Sequence, residues 1–514
     1  MGSELMQALV VFFLITLPWL NPFTFGPSPG VVPLLFSLAC AAAVLGVSGV
    51  SPGVRLLERL VRATATAWLL AALLSSLLGL LQYFGETAVF GMWVNSTALG
   101  EAYANLRQRN QFATLTNIGL AALLWWLAQG KLLWPARPAA LGQANIKTGQ
   151  LPWVWGGVAV LLAMGNAASS SRTGLLQLFM LMFMVWWWSG KQGAGQAREV
   201  RGVLLVAALA YVVAIIALPR LAGLDPNATG MLARLQAGDP ACASRLTLWG
   251  NVLHLIAQKP WLGWGWGNLD YAHFITLYPG ARFCDILDNA HNLPLHLAVE
   301  LGLPVALLVC GTGLWLVWHA QPWREADPTR QLAWSVLAVI LLHSLLEYPL
   351  WYGPFQMAFG LSVWMLWRVE ASSSKNTDAF RPVAPILFAQ AAIFLIAFIA
   401  YAAWDYHRIS QIYLAQNRRA AAYQDNTLEK IQGSWLFKNQ VRFAELTTTS
   451  LTPANAAHVN SLAKDVLHFS PEGRVIEKLV ESAVMLGRDD EALFYLVRYR
   501  AAFPDSHARW AAKK

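Results

Sequence analysis

Residues 203–219 read VLLVAALAYVVAIIALP, with no charged side chain among them and Arg198 and Arg201 just before. Such a run has no polar face to offer water, and it approaches the roughly 20 residues a helix needs to cross a hydrocarbon core about 30 Å thick. Comparable runs lie at 174–189, 152–168, 111–128, 63–84, 30–48 and 5–22 on one side. On the other they lie at 302–318, 331–347, 354–368 and 384–403. The sequence therefore predicts an all-α, polytopic membrane protein of about eleven transmembrane helices.

Composition agrees. Of 514 residues, 56% are hydrophobic and 13% charged, whereas about a quarter are charged in soluble domains. The net charge of +9 would suit a nucleic-acid binder, but such proteins gather basic residues on one face. Here they follow every second span, as Arg55, Arg59 and Arg62; Lys131, Arg137 and Lys147; Lys191, Arg198 and Arg201; Arg324 and Arg330; and Arg368, Lys375 and Arg381. That is a topology signal rather than a nucleic-acid surface, and it places those loops and the N-terminus in the cytoplasm. The other loops and the C-terminus then face outward. The first span has no small-residue cleavage site before Pro18-Trp19 and reads as a retained helix.

Two outward regions are long. The loop between the seventh and eighth spans covers 220–301, and connections of that length are seldom without function. Residues 404–514 carry 27 charged side chains in 111 positions, against 38 in the preceding 403, so the chain divides into a membrane domain, 1–403, and a soluble domain. Within the latter, Val475, Leu479, Ala483 and Leu486 predict one helix that Gly487 stops. Ala492, Leu493, Leu496 and Val497 predict a second before Pro504, and the pair resembles a tetratricopeptide-like repeat. Cys242 and Cys284 share the long loop, in a compartment that favours oxidation, and are expected to form a disulfide, two free thiols being the alternative. Cys40 and Cys310 fall in spans and read as small apolar residues.

Polar groups collect at the outward ends of the spans: Gln108, Arg109 and Asn110 before the fourth, Arg172 in the tight Ser169–Gly174 turn, Arg245 and His291 in the long loop, and Glu347 and Tyr348 at the end of the ninth. Arg172 cannot reach far from the membrane surface, and its planar guanidinium suits phosphate oxygens, although a headgroup anchor would look similar. The run Trp261-Leu262-Gly263-Trp264-Gly265-Trp266-Gly267-Asn268 cannot be an ordinary helix. Its glycines permit close backbone approach, and its tryptophans suit a lipid boundary. His291, in Asp288-Asn289-Ala290-His291-Asn292, is suited to taking a proton from a hydroxyl, or else caps the helix that follows. No metal-ligand spacing, Walker loop or dinucleotide fingerprint is present.

Gln108-Arg109-Asn110, Ser171-Arg172-Thr173-Gly174, Ser244-Arg245-Leu246 with Trp249, Pro260–Gly267 and Asp288–Asn292 resemble the O-antigen ligase and polymerase superfamily. Glu347–Tyr352 and the segments Asp490–Leu493 and Ala502–Pro504 look more specifically like its bacterial protein O-oligosaccharyltransferase branch, the pilin-glycosylating enzymes. The resemblance implies a glycosyltransferase in the bacterial inner membrane that moves a glycan from undecaprenyl-pyrophosphate to a serine or threonine of a periplasmic protein such as a pilin, with no metal or nucleotide cofactor. Its active site and C-terminal domain would be periplasmic. By the same resemblance His291 is the essential histidine, Arg172 and Arg245 bind the pyrophosphate, and Gln108 and Tyr348 position donor or acceptor, with Asn110 and Asn292 beside them. The rival readings are an O-antigen ligase or polymerase, which the soluble tail argues against, and a transporter or flippase. The latter usually carries polar groups at mid-membrane, where only His343 is plainly found.

Overall fold

The computed structural model describes residues 2–49, 54–129, 152–190, 194–238, 241–373 and 383–513. Lys131, Arg137, Lys147, Lys191, Lys375 and Arg381 of the basic loops lie outside the described residues. Every predicted span falls on a helix: α1 (Gly2–Leu20), α2 (Val31–Gly49), α3 (Val54–Tyr83), α4 (Arg109–Ala128), α5 (Pro152–Ala168), α6 (Arg172–Ser189) and α7 (Ala194–Leu221) precede the long loop. That loop holds α8 (Gly230–Ala237), α9 (Arg245–Gln258), α10 (Leu269–Ile275) and α11 (Leu293–Leu301). Then come α12 (Leu303–Ala320), α13 (Pro328–Ser344), α14 (Gly353–Ser373) and α15 (Val383–Ser410). Five of the described helices meet the length and hydropathy for a membrane crossing, at Glu58–Tyr83, Arg109–Ala128, Ala197–Leu221, Leu303–Arg324 and Ala389–Tyr413.

Helix α4 is the axis of the bundle. Its residues Gln111–Leu127 are all buried, and it packs on α3, α5, α6 and α13. Lipid supplies no hydrophobic force between helices, so close packing and hydrogen bonds must hold them together. Both are visible here. A methyl at Gly165 would overlap Ser76 of α3, and one at Gly174 would overlap Ala113 of α4. Asn117 donates to the Gly174 carbonyl at 3.0 Å and accepts from Asn166 at 3.1 Å, while Gln177 donates to the Val339 carbonyl at 2.9 Å. Four helices, α4, α5, α6 and α13, are thereby fixed to one another.

Helix α12 differs from the rest, with only 6% of its apolar window buried. It is held at its ends. Its N-terminus continues from α11, and beyond its C-terminus Trp187 and Trp188 of α6 donate to the carbonyls of Trp323 and Pro322 at 3.0 and 2.9 Å.

The expected boundary at 403 is crossed by continuous helix, since α15 runs on to Ser410. There Tyr406 donates to the Phe25 carbonyl at 2.8 Å and accepts from the Ser28 amide at 2.9 Å, tying the helix to the segment before α2. Hydropathy places that boundary where charge begins, but the charges from Asp405 onward ride on the same helix. Beyond it come α16 (Thr427–Ile431), α17 (Lys438–Thr448), α18 (Ala456–Leu467), α19 (Gly473–Met485), α20 (Asp489–Ala502) and α21 (Pro504–Ala511). The predicted α19–Gly487–α20 hairpin is present, with Gly487 at φ +66°. On α20, however, Ala492, Tyr499 and Ala502 face the core while Leu493 and Val497 stay exposed. The apolar spacing there marks a surface stripe.

The soluble domain is not independent of the long loop. Phe274 of α10 is 1% exposed inside the core formed by Val459, Leu479 and Tyr499. Arg498 donates to the Ile275 carbonyl at 2.7 Å, and the Tyr271 and His468 rings stack with centroids 3.7 Å apart.

Candidate active site

Helix α13 ends at Ser344, and the chain turns through Glu347 before a 3-10 turn at Pro349–Trp351. The turn leaves the Glu347 carboxylate 7% exposed. A buried carboxylate is costly unless every lone pair is met. Here Oε2 accepts from His291 Nδ1 at 2.6 Å and Gln108 Nε2 at 3.2 Å, and Oε1 accepts from Asn110 Nδ2 at 3.1 Å and from Arg245 Nη2. Burial pushes the carboxyl pKa up, but the hydrogen bond and charge of His291 and the charge of Arg245 outweigh it. Glu347 is held below its ordinary 4.5 and is ionised.

His291 is presented by a bent loop. Its φ of +50° is left-handed, a conformation non-glycine residues adopt at a cost, and its amide donates to Asn289 Oδ1 at 2.9 Å. Asn292 caps α11, accepting from Leu295 N at 3.1 Å, and donates to the Leu345 carbonyl at 3.0 Å. The loop is thus fastened to the end of α13 through Asn292 and through the imidazole itself. Nδ1 faces Glu347, so Nε2 is the ring nitrogen that could exchange a proton with a bound group. The Tyr348 ring lies 5.0 Å from the imidazole at 85°. Burial, with Tyr352 and nearby acids, pushes its pKa far above the ordinary value, so its hydroxyl stays protonated.

The two arginines occupy equivalent local settings. Each is the first residue of a helix and follows a serine cap: Ser171 Oγ accepts from Gly174 N at 2.9 Å, and Ser244 Oγ from Thr247 N at 3.1 Å. A helix N-terminus carries positive partial charge, so each site adds that field to a guanidinium. Arg245 also donates Nε to the Leu346 carbonyl at 3.0 Å. Arg172 is tied in through its neighbour, since Ser171 Oγ donates to Asn110 Oδ1 at 2.6 Å. Left-handed residues recur beside these positions, at Arg107 before Gln108 and at Ser170 before Ser171. Arg109 turns elsewhere and pairs with Glu101.

Two features brace the loop. Cys242 and Cys284 are joined, with Cα atoms 5.3 Å apart, and link the start of α9 to the segment before His291. The Trp261–Asn268 strip lies against the end of α11: Trp264 N donates to the Val299 carbonyl and Gly265 N to the Glu300 carbonyl, both at 2.9 Å. Gly263, at φ +67°, has no room for a side chain against the Glu300 carbonyl.

The structure therefore brings Gln108, Asn110, Arg245, His291, Asn292 and Tyr348 together with the Ser171-Arg172 turn. What sequence reasoning missed is the hub role of Glu347, which it named among the outward polar groups and in the Glu347–Tyr352 motif but left without a function. A lone acid at the edge of an apolar run was the available signal. It also missed the support below. Asn110, Thr114 and Asn117 recur at i, i+4 and i+7 on α4, and Thr114 lies 2.9 Å from His343 Nδ1 and 2.9 Å from Gln177 Nε2. Among the described residues, no group of three or more His, Cys, Asp or Glu is arranged to hold a metal.

Three segments of the chain match known families. Residues 157–310 match the O-antigen ligase family, residues 331–514 the family described as virulence factor membrane-bound polymerase, C-terminal, and residues 102–127 the protein glycosylation ligase family. The chain is similar to the general O-oligosaccharyltransferase of Acinetobacter baylyi (strain ATCC 33305 / BD413 / ADP1), at 24% identity over 379 residues, covering 70% of this chain and 59% of that protein. It is also similar to the ComP-specific O-oligosaccharyltransferase of the same organism, at 24% identity over 266 residues, covering 52% and 44%. The chain thus spans less than two thirds of the length of these relatives. No solved structure matches.

Proposed function

Starting from a chain of the O-antigen ligase and protein glycosylation ligase superfamily, we propose that it is a protein O-oligosaccharyltransferase. It takes a glycan from undecaprenyl-pyrophosphate and attaches it to a serine or threonine of a periplasmic protein such as a pilin. The chain crosses the bacterial inner membrane eleven times, with its basic loops in the cytoplasm and the His291 site and C-terminal domain in the periplasm. The exposed apolar length of α12 offers the polyprenyl tail a lipid-facing wall leading up to α11.

The observation that carries this reading is the 2.6 Å contact between His291 Nδ1 and Glu347 Oε2. An ionised Glu347 fixes the imidazole with its proton on Nδ1 and stabilises the imidazolium once Nε2 accepts a proton. The acceptor oxygen attacks the anomeric carbon, its proton passes to Nε2, the bond from that carbon to the phosphate oxygen breaks, and the pyrophosphate departs. Arg172 and the part of the Arg245 guanidinium not given to Glu347 and Leu346 offset its growing charge. Gln108 and Asn110 act through Glu347, and the neutral Tyr348 hydroxyl is placed to hydrogen-bond sugar or acceptor. The sugar is already activated, so the chemistry requires no metal or nucleotide.

The test is co-expression with a lipid-linked glycan pathway and a candidate pilin, read by the intact mass of the pilin. A glycan mass increment that vanishes in His291→Ala supports the proposal. Sugar appearing only on lipid A core would make the chain an O-antigen ligase.

A further inference from the structure

An aromatic row runs outward from the catalytic centre. It begins at Tyr348, whose ring is 5.0 Å from that of His291. Next comes Trp351, 6.4 Å from Tyr348, and then Trp266, which lies nearly parallel to Trp351 at 15° with centroids 6.2 Å apart. The two indoles come from separate elements, the strip after α9 and the turn after α13, yet they meet beside the site. Both stay open, Trp266 at 60% and Trp351 at 38% exposed.

Their setting is built. The backbone bonds from Trp264 and Gly265 to the end of α11 aim the strip, and the two residues flanking Trp266, Gly265 and Gly267, have φ of +98° and +73°. Behind the indoles His296, 3% exposed, stands at 67° to Trp266 and 73° to Trp351. Its Nδ1 has no hydrogen-bond partner. A buried polar atom left unmet beside an open aromatic face points to a polar ligand rather than to lipid alone. Trp261 and Leu262 of the same strip, 74% and 86% exposed, lack any such company.

We propose that Trp266 and Trp351 form the stacking platform for the pyranose attached directly to the donor pyrophosphate. This rests on the transferase reading above and adds the sugar subsite to it. The apolar C–H face of a pyranose lies flat on an indole, while its hydroxyls find polar groups at the rim. With the pyrophosphate held by the arginines and the anomeric carbon at His291, the first sugar lies beside the imidazole, where the aromatic row begins at Tyr348 and continues through Trp351 to Trp266. The platform reads the sugar's shape and leaves the lipid and the acceptor to other surfaces.

The experiment uses purified full-length protein in lipid nanodiscs. Two constants are measured: the KM for lipid-linked glycan, and the inhibition constant of undecaprenyl pyrophosphate that carries no sugar. Trp266→Ala and Trp351→Ala should each raise the donor KM by roughly 3- to 10-fold, the range of one aromatic contact, and leave the inhibition constant within a factor of about two. Trp266→Phe and Trp351→Phe, which keep an aromatic face, should recover most of the loss. Trp261→Ala should leave the ratio of the constants unchanged. If both constants rise together in the Trp266 and Trp351 variants, the indoles hold lipid and the sugar subsite is wrong. Unchanged constants in the Ala variants overturn it equally. Absence of transfer by the wild-type protein would instead refute the transferase reading, so the two failures are distinguishable.

Discussion

Arg245 and Glu347 form an ion pair between the first residue of α9 and the turn after α13, with the carboxylate almost fully buried. Arg245 thereby holds the carboxylate that orients His291, and under the proposed function it has a second task, to meet the leaving pyrophosphate. Arg172 connects to the same centre through Ser171 and Asn110. The two arginines, equivalent in local sequence, should respond differently to mutation.

Arg172→Lys keeps the charge and loses the planar fork, so donor KM should rise and transfer should fall at least about tenfold. Arg245→Lys should cost more, since it also loosens Glu347, and should lower kcat as well as raise KM. Steady-state kinetics on both variants checks this, and equal effects on KM alone would reduce Arg245 to a phosphate contact.

Glu347→Gln should remove the ionised partner of His291 while keeping the volume. Turnover at saturating donor should drop by about 100-fold or more, the scale of general-base assistance. Binding of undecaprenyl pyrophosphate should survive through Arg172. Near-normal turnover in this variant would mean that Glu347 only braces the loops.

Two acids make opposite pH predictions for stability. The Glu347 pKa is depressed in the folded state, so its contribution is complete above the ordinary 4.5 and is lost as pH falls through the lower folded value. The Tm gap between wild type and Glu347→Gln should be flat from pH 7 to about 5 and should close below about 4.5. Asp270 of α10 behaves in reverse. Burial first, then Asp288 and Glu300, raise its pKa from 3.8 to about 7, so folding is penalised increasingly as pH rises from 3.8 towards 7. Asp270→Asn should therefore gain Tm over wild type progressively across that interval, with a plateau above it. Thermal melts in one detergent across about pH 3–8 test both.

Non-reducing peptide mapping should recover Cys242 joined to Cys284, and reporter fusions at Asn227 and Arg419 should read periplasm against cytoplasm at Lys191 and Arg324. Deleting the soluble domain is a poor probe of acceptor recognition. It uncovers Phe274 and removes the Arg498 bond to Ile275, so donor use should fall too. A truncation after Ser410 with unchanged donor KM would show that this contact does not support the site.

The spans were legible because lipid solvation demands long apolar runs whatever the fold. The ends of α4, α6, α9 and α11 stood out because Gln108, Arg172, Arg245 and His291 gather polar groups at one set of loops in a chain whose spans are nearly free of charge. Their common partner was not. That Gln108, Asn110, Arg245 and His291 all turn to Glu347 is a fact of tertiary packing, set by how α13 ends and how the loop after Cys284 folds over it. The exposed stripe of α20 was not legible for a related reason, since periodicity shows that an apolar face exists and not what lies against it. The burial of Phe274 in the soluble domain joins two regions that composition divides cleanly.

Whether His291 accepts the proton of the acceptor hydroxyl is tested most directly by the turnover of His291→Gln in purified membranes with saturating donor. Gln can still hydrogen-bond an acceptor but cannot take its proton. The account predicts a loss of roughly 100- to 10,000-fold, with undecaprenyl pyrophosphate binding retained. Substantial turnover by His291→Gln would contradict it and leave His291 as an orienting group.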